Sequence, residues 1–499
     1  MVVEFNTPEW VKDAVFYQIF PDRFASSERL EKPGNLEPWD SPPTPHGFKG
    51  GDLLGIAEHL GYLSDLGITA IYLNPIFQSA SNHRYHTHDY YQVDPLLGGN
   101  RAFQKLLREA HRRDIKVVLD GVFNHASRGF FQFNHILECG ASSPYIDWFE
   151  VESYPVIAYS SSGRGVNYRC WADLPALPEF NTDNPQVRKY LLDIASYWLK
   201  QGIDGWRLDV PNCIEDDSFW QEFRQVVKSI NPQAYIVGEI VTEAQQWLQG
   251  DQFDAVMNYQ FTQACLGFFA GNNIDRNLES RMMGLPATRV LDAPSFARRV
   301  EELLEIYPSQ VAFSQLNLLD SHDMPRFLSL AGNDQAALRL ATLFQMTYPG
   351  APCIYYGDEV GMKGGRDPDC RRSMLWGKER VSGSPGRFTP HPSWEVDLRK
   401  FIKTCIAMRR SHPALRRGEF ISLFAEGGVY AHLRQFDGEI CVTVLNTGNK
   451  SYALDIPIRG YLPDGTHLEN LTGSGVARVI DGKITRLALA PRSGLVLSN

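Results

Sequence analysis

The chain has 499 residues, and its 58 acidic and 49 basic side chains give a formal net charge of −9. This mildly acidic balance argues against a nucleic-acid-binding surface, and no apolar run approaches the ~18 residues of a membrane-spanning helix, so neither partner is expected. The first residues lack a basic start followed by an apolar run, and the eight cysteines form no CxxC pair, which predicts a cytoplasmic protein with reduced thiols.

Short apolar runs alternate with amphipathic segments over most of the chain. The runs predict strands at residues 14–20, 68–76, 115–123, 202–211, 234–240, 255–259, 315–319 and 352–356. Apolar residues at helical spacing predict helices at 55–66, 100–113, 185–200 and 218–229. Eight strands alternating with helices are typical of a (β/α)8 TIM barrel, a fold of the α/β class.

Two stretches depart from this alternation. About sixty residues separate the third strand from its helix, too many for a loop, which predicts a small domain inserted beside the barrel mouth. After residue 416, short β-rich runs with turn signals replace the helices and predict a C-terminal β-sandwich domain. We therefore expect a catalytic barrel at 1–123 and 184–416, an inserted domain at 124–183 and a β-sandwich domain at 417–499.

The predicted strands end in ionisable side chains. The fourth, GIDGWRLDVP, carries Arg207 and Asp209 two residues apart, which places both side chains on one face. Active sites of parallel barrels lie at the carboxyl ends of the strands, although a buried structural ion pair would give the same local pattern. The other polar strand ends are Asp120, Asn124 and His125 after strand three, Glu239 after strand five, and His322 and Asp323 after strand seven.

The spacing of two of these acids suggests a chemistry. Asp209 and Glu239 lie thirty residues apart, the length of one βα repeat, so we expect them on neighbouring strands. Glycoside hydrolysis needs one carboxylate to attack or stabilise the sugar carbon and another to protonate the leaving oxygen. The pair, with Asp323 nearby, therefore favours a glycoside hydrolase.

Two alternatives stay open at this point. A metal-dependent barrel hydrolase would draw its ligands from His86, His88, Asp89, His125, His322 and the aspartates. The permanent charge of Arg207 beside Asp209 disfavours a divalent metal there. The second alternative is a catalytically silent glucan-binding protein, which is disfavoured because no catalytic carboxylate is missing.

At these residues the sequence resembles the α-amylase superfamily of glycoside hydrolases. The segments DGVFNH, GWRLDV, VGEI and LLDSHD are similar to the four signature regions of that family and stand in the same order. The segments FYQIFPDRF, GDQFDAVMNY and PCIYYGDEVGMKGGRDPDCRRSMLW resemble the cyclomaltodextrinase, neopullulanase and maltogenic amylase group. The resemblance covers essentially the whole chain from Trp10 onward.

The resemblance implies a retaining α-glucan hydrolase that cleaves α-1,4-glucosidic bonds by double displacement. The implied substrates are cyclodextrins and maltooligosaccharides, with pullulan and starch as further candidates. An alternative within the family is a glucanotransferase or a debranching α-amylase that acts on longer, glycogen-like chains.

The resemblance also implies roles for individual residues. Asp209 is expected to be the nucleophile, Glu239 the general acid/base and Asp323 the transition-state stabiliser. In a retaining enzyme the carboxyls of Asp209 and Glu239 lie about 5 Å apart, and Arg207 is expected to keep Asp209 ionised. The expected substrate-binding residues are His83, Tyr85, Asp120, His125, Arg207, His322, Asp367 and Arg371.

The chain departs from this group in three places. Its members usually carry an extra β-domain before the barrel, whereas here the predicted barrel begins almost at Met1, so we expect that domain to be absent and the cleft to be more open. The oligomeric state stays open, because the usual dimer uses that domain. Val241 stands where the group has Trp, and VPNC (210–213) stands where it has VANE, so the group's preferences for cyclic substrates, α-1,6 bonds and glycosyl transfer are not carried over.

The third departure concerns metals. The first loop, DRFASSERLEKPGN, lacks the Asn/Asp-rich calcium loop of some relatives, although Gly51 and Asp52 fit part of that site. With few hard oxygen ligands in the loop, we expect that calcium is not required and that no other cofactor is needed.

Overall fold

A computed structural model describes residues 5–159, 166–279, 284–377 and 390–499 of the chain. Eight parallel strands form its centre. They are β1 (Phe16–Ile19), β2 (Ala70–Leu73), β3 (Lys116–Gly121), β4 (Gly205–Leu208), β5 (Tyr235–Gly238), β6 (Ala255–Val256), β7 (Leu316–Leu318) and β8 (Ala351–Tyr355). The strands pair in the order β6-β5-β4-β3-β2-β1-β8-β7, and a parallel bridge from Met257 to Leu316 links the two ends. The predicted TIM-like barrel is therefore confirmed.

Long helices cover the outside of the barrel. They are Leu53–Leu66, Gly99–His111, Pro185–Gln201, Asp217–Ile230, Ala293–Glu305, Gln335–Thr347 and Val396–Ser411. Shorter helices are Glu9–Asp13, Pro21–Phe24, Phe131–Cys139, Tyr259–Cys265, Arg276–Glu279, Ser309–Ala312, Phe327–Leu330 and Pro413–Arg417. Several begin where the sequence supplies a capping side chain, as at Asp52, Asn184 and Asp216, which accept first-turn amides. In the described ranges, no helix is long and apolar enough to cross a membrane.

The barrel strands are buried on both faces. Every residue of β1, β2, β4 and β5 is buried, because the helices cover the outer face and side chains fill the interior. Polar groups at the carboxyl ends of the strands are thus held on a rigid apolar support. This support positions the candidate site.

Two additions surround that end of the barrel. After β2, an antiparallel hairpin (Phe77–Ser79 and Thr87–Val93) carries a connecting turn over the mouth. Between β3 and the helix Pro185–Gln201, the described residues form a helix and isolated backbone bridges, including His125–Glu179 and Phe149–Phe180. Aromatic side chains such as Phe130 and Phe133 pack beneath them.

The chain ends in an antiparallel β-domain, as predicted. Its strands are β9 (Glu419–Glu426), β10 (Val429–Phe436), β11 (Glu439–Asn446), β12 (Tyr452–Pro457), β13 (His467–Asn470), β14 (Val476–Ile480), β15 (Lys483–Leu489) and β16 (Ser493–Ser498). Alternate residues of these strands meet in a second hydrophobic core. Arg434 of this domain is fully buried and donates hydrogen bonds to the carbonyls of Thr347 and Leu415, which precede the domain in the chain.

Candidate active site

One buried guanidinium lies at the centre of the barrel mouth. Arg207, on β4, places Nη1 2.9 Å from Asp120 Oδ1 and 2.8 Å from Asp209 Oδ1, and its Nη2 contacts Glu239 Oε1. The side chain of Arg207 is fully buried. Carboxylates from the ends of β3, β4 and β5 therefore meet around one cation, as the strand-end pattern predicted.

This arrangement changes the expected protonation of the acids. Burial raises the pKa of Asp209; Arg207 opposes the rise, and the negative charge of Glu239 adds to it. Burial also raises the pKa of Glu239, again against Arg207. Both carboxyls therefore keep a proton to higher pH than an exposed carboxyl does. The expectation that Arg207 keeps Asp209 ionised is wrong for the resting protein, because burial outweighs Arg207 and the fold brings Glu239 to the same cation.

The third acid has the opposite electrostatic setting. Asp323 Oδ1 lies 2.8 Å from Arg371 Nη2, and Asp323 Oδ2 lies 3.0 Å from His322 Nε2. Arg371 also pairs with Asp367 Oδ1 at 2.9 Å. Burial acts to raise the pKa of Asp323, but His322 and Arg371 outweigh it and hold that pKa far below its usual value. Asp323 is therefore a fixed negative charge at the mouth.

Tyr85, in the turn of the hairpin, and Asp120, at the end of β3, lie between His322 and Arg207. The Tyr85 ring lies parallel to the His322 ring, with an interplanar angle of 8° and a centroid distance of 5.5 Å. Its hydroxyl donates to Asp120 Oδ2 at 2.9 Å, and Tyr72 donates to the same oxygen at 2.7 Å. His83 lies beside Tyr85, and burial holds the pKa of His83 well below its usual value, so this imidazole is neutral.

His125 presents an unused hydrogen-bonding atom. It is buried, and burial lowers its pKa to about 3. Asn124 Nδ2 lies 3.3 Å from its Nδ1, whereas its buried Nε2 has no partner among the described residues. The ring stacks on Trp171 at 5.4 Å. A neutral imidazole with a free N–H is suited to donate to a sugar hydroxyl.

The structure adds residues that the sequence analysis missed. Tyr259 places its hydroxyl 3.4 Å from Glu239 Oε1, and Trp171 supports His125 from the inserted segment. Gln18 and Asn74 lie beneath the site and contact His322 and Tyr85. A signal did exist for these two, because each is a polar residue in an otherwise apolar strand segment.

Neither of the metal sites considered from the sequence finds a fitting set of ligands. Among the described residues, no group of three or more His, Cys, Asp or Glu side chains is placed to hold a metal ion. His86 lies in the connecting turn of the hairpin and His88 on its second strand, and neither belongs to such a group. Arg207 occupies the centre of the carboxylate cluster.

Calcium also fails to fit at Asp52. Its Oδ2 accepts from Ser27 N and from Lys32 Nζ, both at 2.8 Å, and its Oδ1 accepts from Gly55 N at 2.7 Å. Gly51 serves close packing, because a Cβ there would lie 2.2 Å from a backbone oxygen. The ammonium group of Lys32 stands where a metal ion would bind Asp52.

The family model described as "Alpha amylase, catalytic domain" matches residues 18–416. This protein belongs to the α-amylase family. It is 43% identical over 458 residues to a cyclomaltodextrinase of Geobacillus thermopakistaniensis, covering 91% of this chain and 72% of that protein. It is 44% identical to neopullulanase 2 of Thermoactinomyces vulgaris over an alignment of 502 residues, gaps included, which covers 99% of this chain and 79% of that protein. A solved structure of the Nostoc punctiforme debranching enzyme matches with a TM-score of 0.88 at 47% identity, covering 99% of this chain and 100% of that one.

Membership of the α-amylase family confirms the predicted glycoside hydrolase class. One of the positions singled out from the sequence, Cys213, lies beside the site. Cys213 is half-buried and borders a pocket of about 130 Å³ that is also lined by Asn124, Arg169 and Glu179. Glu179 is buried and pairs with Arg169. This α-amylase family member therefore has a charged side pocket at Cys213.

Proposed function

We propose that this protein is a retaining α-glucan hydrolase that cleaves α-1,4-glucosidic bonds in cyclodextrins, maltooligosaccharides and related glucans. Asp209 attacks the anomeric carbon while Glu239 gives its proton to the departing glycosidic oxygen, so that a glycosyl ester of Asp209 forms and the sugar–sugar bond breaks. Glu239, now a carboxylate, takes a proton from water, and the resulting hydroxide displaces Asp209. The charge of Asp323 stabilises the positive charge that develops on the sugar in both steps.

The observation that carries this proposal is the shared guanidinium. Asp209 and Glu239 lie at the ends of adjacent strands and share Arg207, and burial raises the pKa of both carboxyls. A single proton on two carboxyls is the state that double displacement requires at its start. Asp323 supports the same reading because His322 and Arg371 keep it charged.

A second candidate is a debranching or glucan-transferring enzyme that acts on longer chains. It is favoured by the similarity to the Nostoc punctiforme debranching enzyme along the whole of both chains. The charged pocket at Cys213 offers polar groups for a branched or extended glucan. The two candidates share the same chemistry and differ in the sugars that the cleft accepts.

The test is chromatography of the products from equal masses of β-cyclodextrin, pullulan and soluble starch, with Glu239→Gln as control. We expect cyclodextrin to disappear fastest and to give mainly maltose and glucose. Faster loss of starch with accumulation of longer oligomers would support the second candidate. Equal activity in enzyme and control would exclude both and leave a glucan-binding protein.

The pH dependence of kcat/KM follows from the shared proton. Burial raises the pKa of Glu239 above its usual value, so this acid stays protonated further up the pH scale. We expect a bell-shaped profile: activity falls at low pH as the pair gains a second proton, and falls at high pH as the pair loses its last one. Initial rates on maltotriose from about pH 4 to 9 test this. A rate that keeps rising throughout that range would contradict the assignment.

We also propose that the protein needs no calcium, since Lys32 supplies the cation at Asp52. We expect EDTA to leave both Tm and activity unchanged. Replacing Lys32 by Met should lower the free energy of unfolding by about 1–3 kcal/mol, because Asp52 is fully buried and would lose this partner. Thermal melts with and without EDTA measure both effects, with exposed Lys450→Met as the matched control. A calcium-dependent rise in the Tm of the wild type would refute the proposal.

For the compartment, we propose the cytoplasm. All eight cysteines are free thiols, and Cys265, Cys353, Cys370, Cys405 and Cys441 are buried. Free thiols in this number are typical of proteins in a reducing compartment. Fractionation of cells with an antibody to this chain tests the proposal, and recovery outside the cell would overturn it.

A further inference from the structure

Two buried amides lie directly beneath the catalytic groups. Gln18 is on β1 and Asn74 follows β2, and their side chains are 1% and 0% exposed. Gln18 Nε2 lies 3.1 Å from Asn74 Oδ1 and 2.9 Å from His322 Nδ1. Neither amide is open to the cleft, so neither is placed to bind the sugar.

The direction of these hydrogen bonds determines the tautomer of His322. An amide nitrogen only donates, so His322 Nδ1 must accept from Gln18 and the ring proton must be on Nε2. That Nε2 lies 3.0 Å from Asp323 Oδ2 and 2.6 Å from the Tyr85 hydroxyl. The other tautomer would set an N–H against the amide of Gln18 and a lone pair against the Asp323 carboxylate.

Asn74 fixes the direction of the hydrogen bonds that Tyr85 makes. Its Nδ2 lies 3.1 Å from the Tyr85 hydroxyl, which therefore accepts from Asn74 and also from the single Nε2–H of His322, which it shares with Asp323 Oδ2. With both lone pairs occupied, Tyr85 must direct its own proton to Asp120 Oδ2. Asp120 Oδ2 accepts this hydrogen bond while Oδ1 accepts from Arg207 Nη1.

We propose that Gln18 and Asn74 are positioning residues for the hydrolysis: Gln18 fixes the Nε2–H tautomer of His322, Asn74 orients the Gln18 amide and the Tyr85 hydroxyl, and together they hold Asp323 and the Tyr85 ring in place. The proposal rests on the proposed function only for its effect on rate. The tautomer itself is a property of the resting protein. It follows from the two amide contacts and is measurable without substrate.

The test removes the donor of Gln18 in two ways. In Gln18→Met, His322 Nδ1 loses its donor, and in Gln18→Glu it faces an acceptor that favours an Nδ1–H. Nitrogen NMR of histidine-labelled protein, with the His322 signals assigned from a His322→Gln variant, reports the ring tautomer directly. We expect an Nε2–H pattern in the wild type, a mixed pattern in Gln18→Met and a protonated Nδ1 in Gln18→Glu. We expect kcat on maltotriose to fall about 10–100-fold in both variants, and KM to change about 3-fold at most, because small displacements of the reacting groups affect the chemical step.

The matched control is Gln345→Met. Gln345 is also 1% exposed, but its amide donates only to the backbone carbonyls of Asn317 and Cys353. We expect a similar fall in Tm, with the His322 signals and kcat unchanged. The proposal is overturned if both Gln18 variants keep the wild-type His322 pattern, or if Gln345→Met lowers kcat equally. An active Glu239→Gln enzyme would refute the proposed function instead, and would leave the tautomer result untouched.

Discussion

Replacing Glu239 by glutamine is expected to lower kcat on maltooligosaccharides by about 10²–10⁴-fold and to leave substrate binding largely intact. The amide keeps the shape of the side chain and its position next to Arg207 and Tyr259. It cannot supply the proton that the leaving oxygen needs. The loss should therefore appear in kcat and leave KM nearly unchanged.

Two comparisons make this result specific. Glu359→Gln alters another fully buried glutamate, whose partners are Tyr17, Tyr62 and the Gly357 amide, and should reduce Tm without a comparable loss of kcat. An aryl maltoside with an acidic leaving group needs no proton donor in the first step, so Glu239→Gln should still release the aryl group in a burst. Wild-type kcat on maltotriose in Glu239→Gln would rule out this residue as the general acid.

Replacing Arg207 by methionine is expected to reduce the free energy of unfolding by about 3–5 kcal/mol and to abolish measurable hydrolysis. The guanidinium is fully buried and is the partner of Asp120, Asp209 and Glu239. Methionine fills part of the space but leaves these carboxylates without their cation. Urea unfolding at several pH values measures the loss.

The pH dependence of the stability loss distinguishes the loss of a buried cation from a general loss of packing. Without Arg207, burial and mutual repulsion raise the pKa values of Asp209 and Glu239 further above their unfolded values. The folded variant then binds more protons than the unfolded chain, so its free energy of unfolding decreases as pH rises through this range. The deficit in free energy of unfolding relative to the wild type is therefore smaller at about pH 5 than at about pH 8. Arg409→Met is the control, because Arg409 is buried but bonds only backbone carbonyls, so its deficit should be equal at both pH values. An equal deficit at both pH values in Arg207→Met would contradict the prediction.

The sequence alone determined the barrel and the set of acids at its mouth. Eight apolar runs, each ending in polar residues, predict parallel strands, and parallel strands bring their carboxyl ends to one face. The interval between Asp209 and Glu239 therefore placed them on neighbouring strands, where the structure has them. The strands proved shorter than the apolar runs, as at β4, where Asp209 N still bonds the carbonyl of Gly121 but Val210 adopts a left-handed conformation that ends the strand.

Only the tertiary structure decided how these groups share charge and protons. Gln18 and His322 lie 304 positions apart, and their contact exists because β1 and β7 lie on either side of β8 in the closed barrel. Likewise, Arg207 reaches Glu239 as well as its neighbour Asp209 because β5 lies beside β4. Sequence spacing gives the face on which a side chain lies, whereas protonation depends on distances of a few ångströms between elements. Those distances are set by how the whole barrel packs.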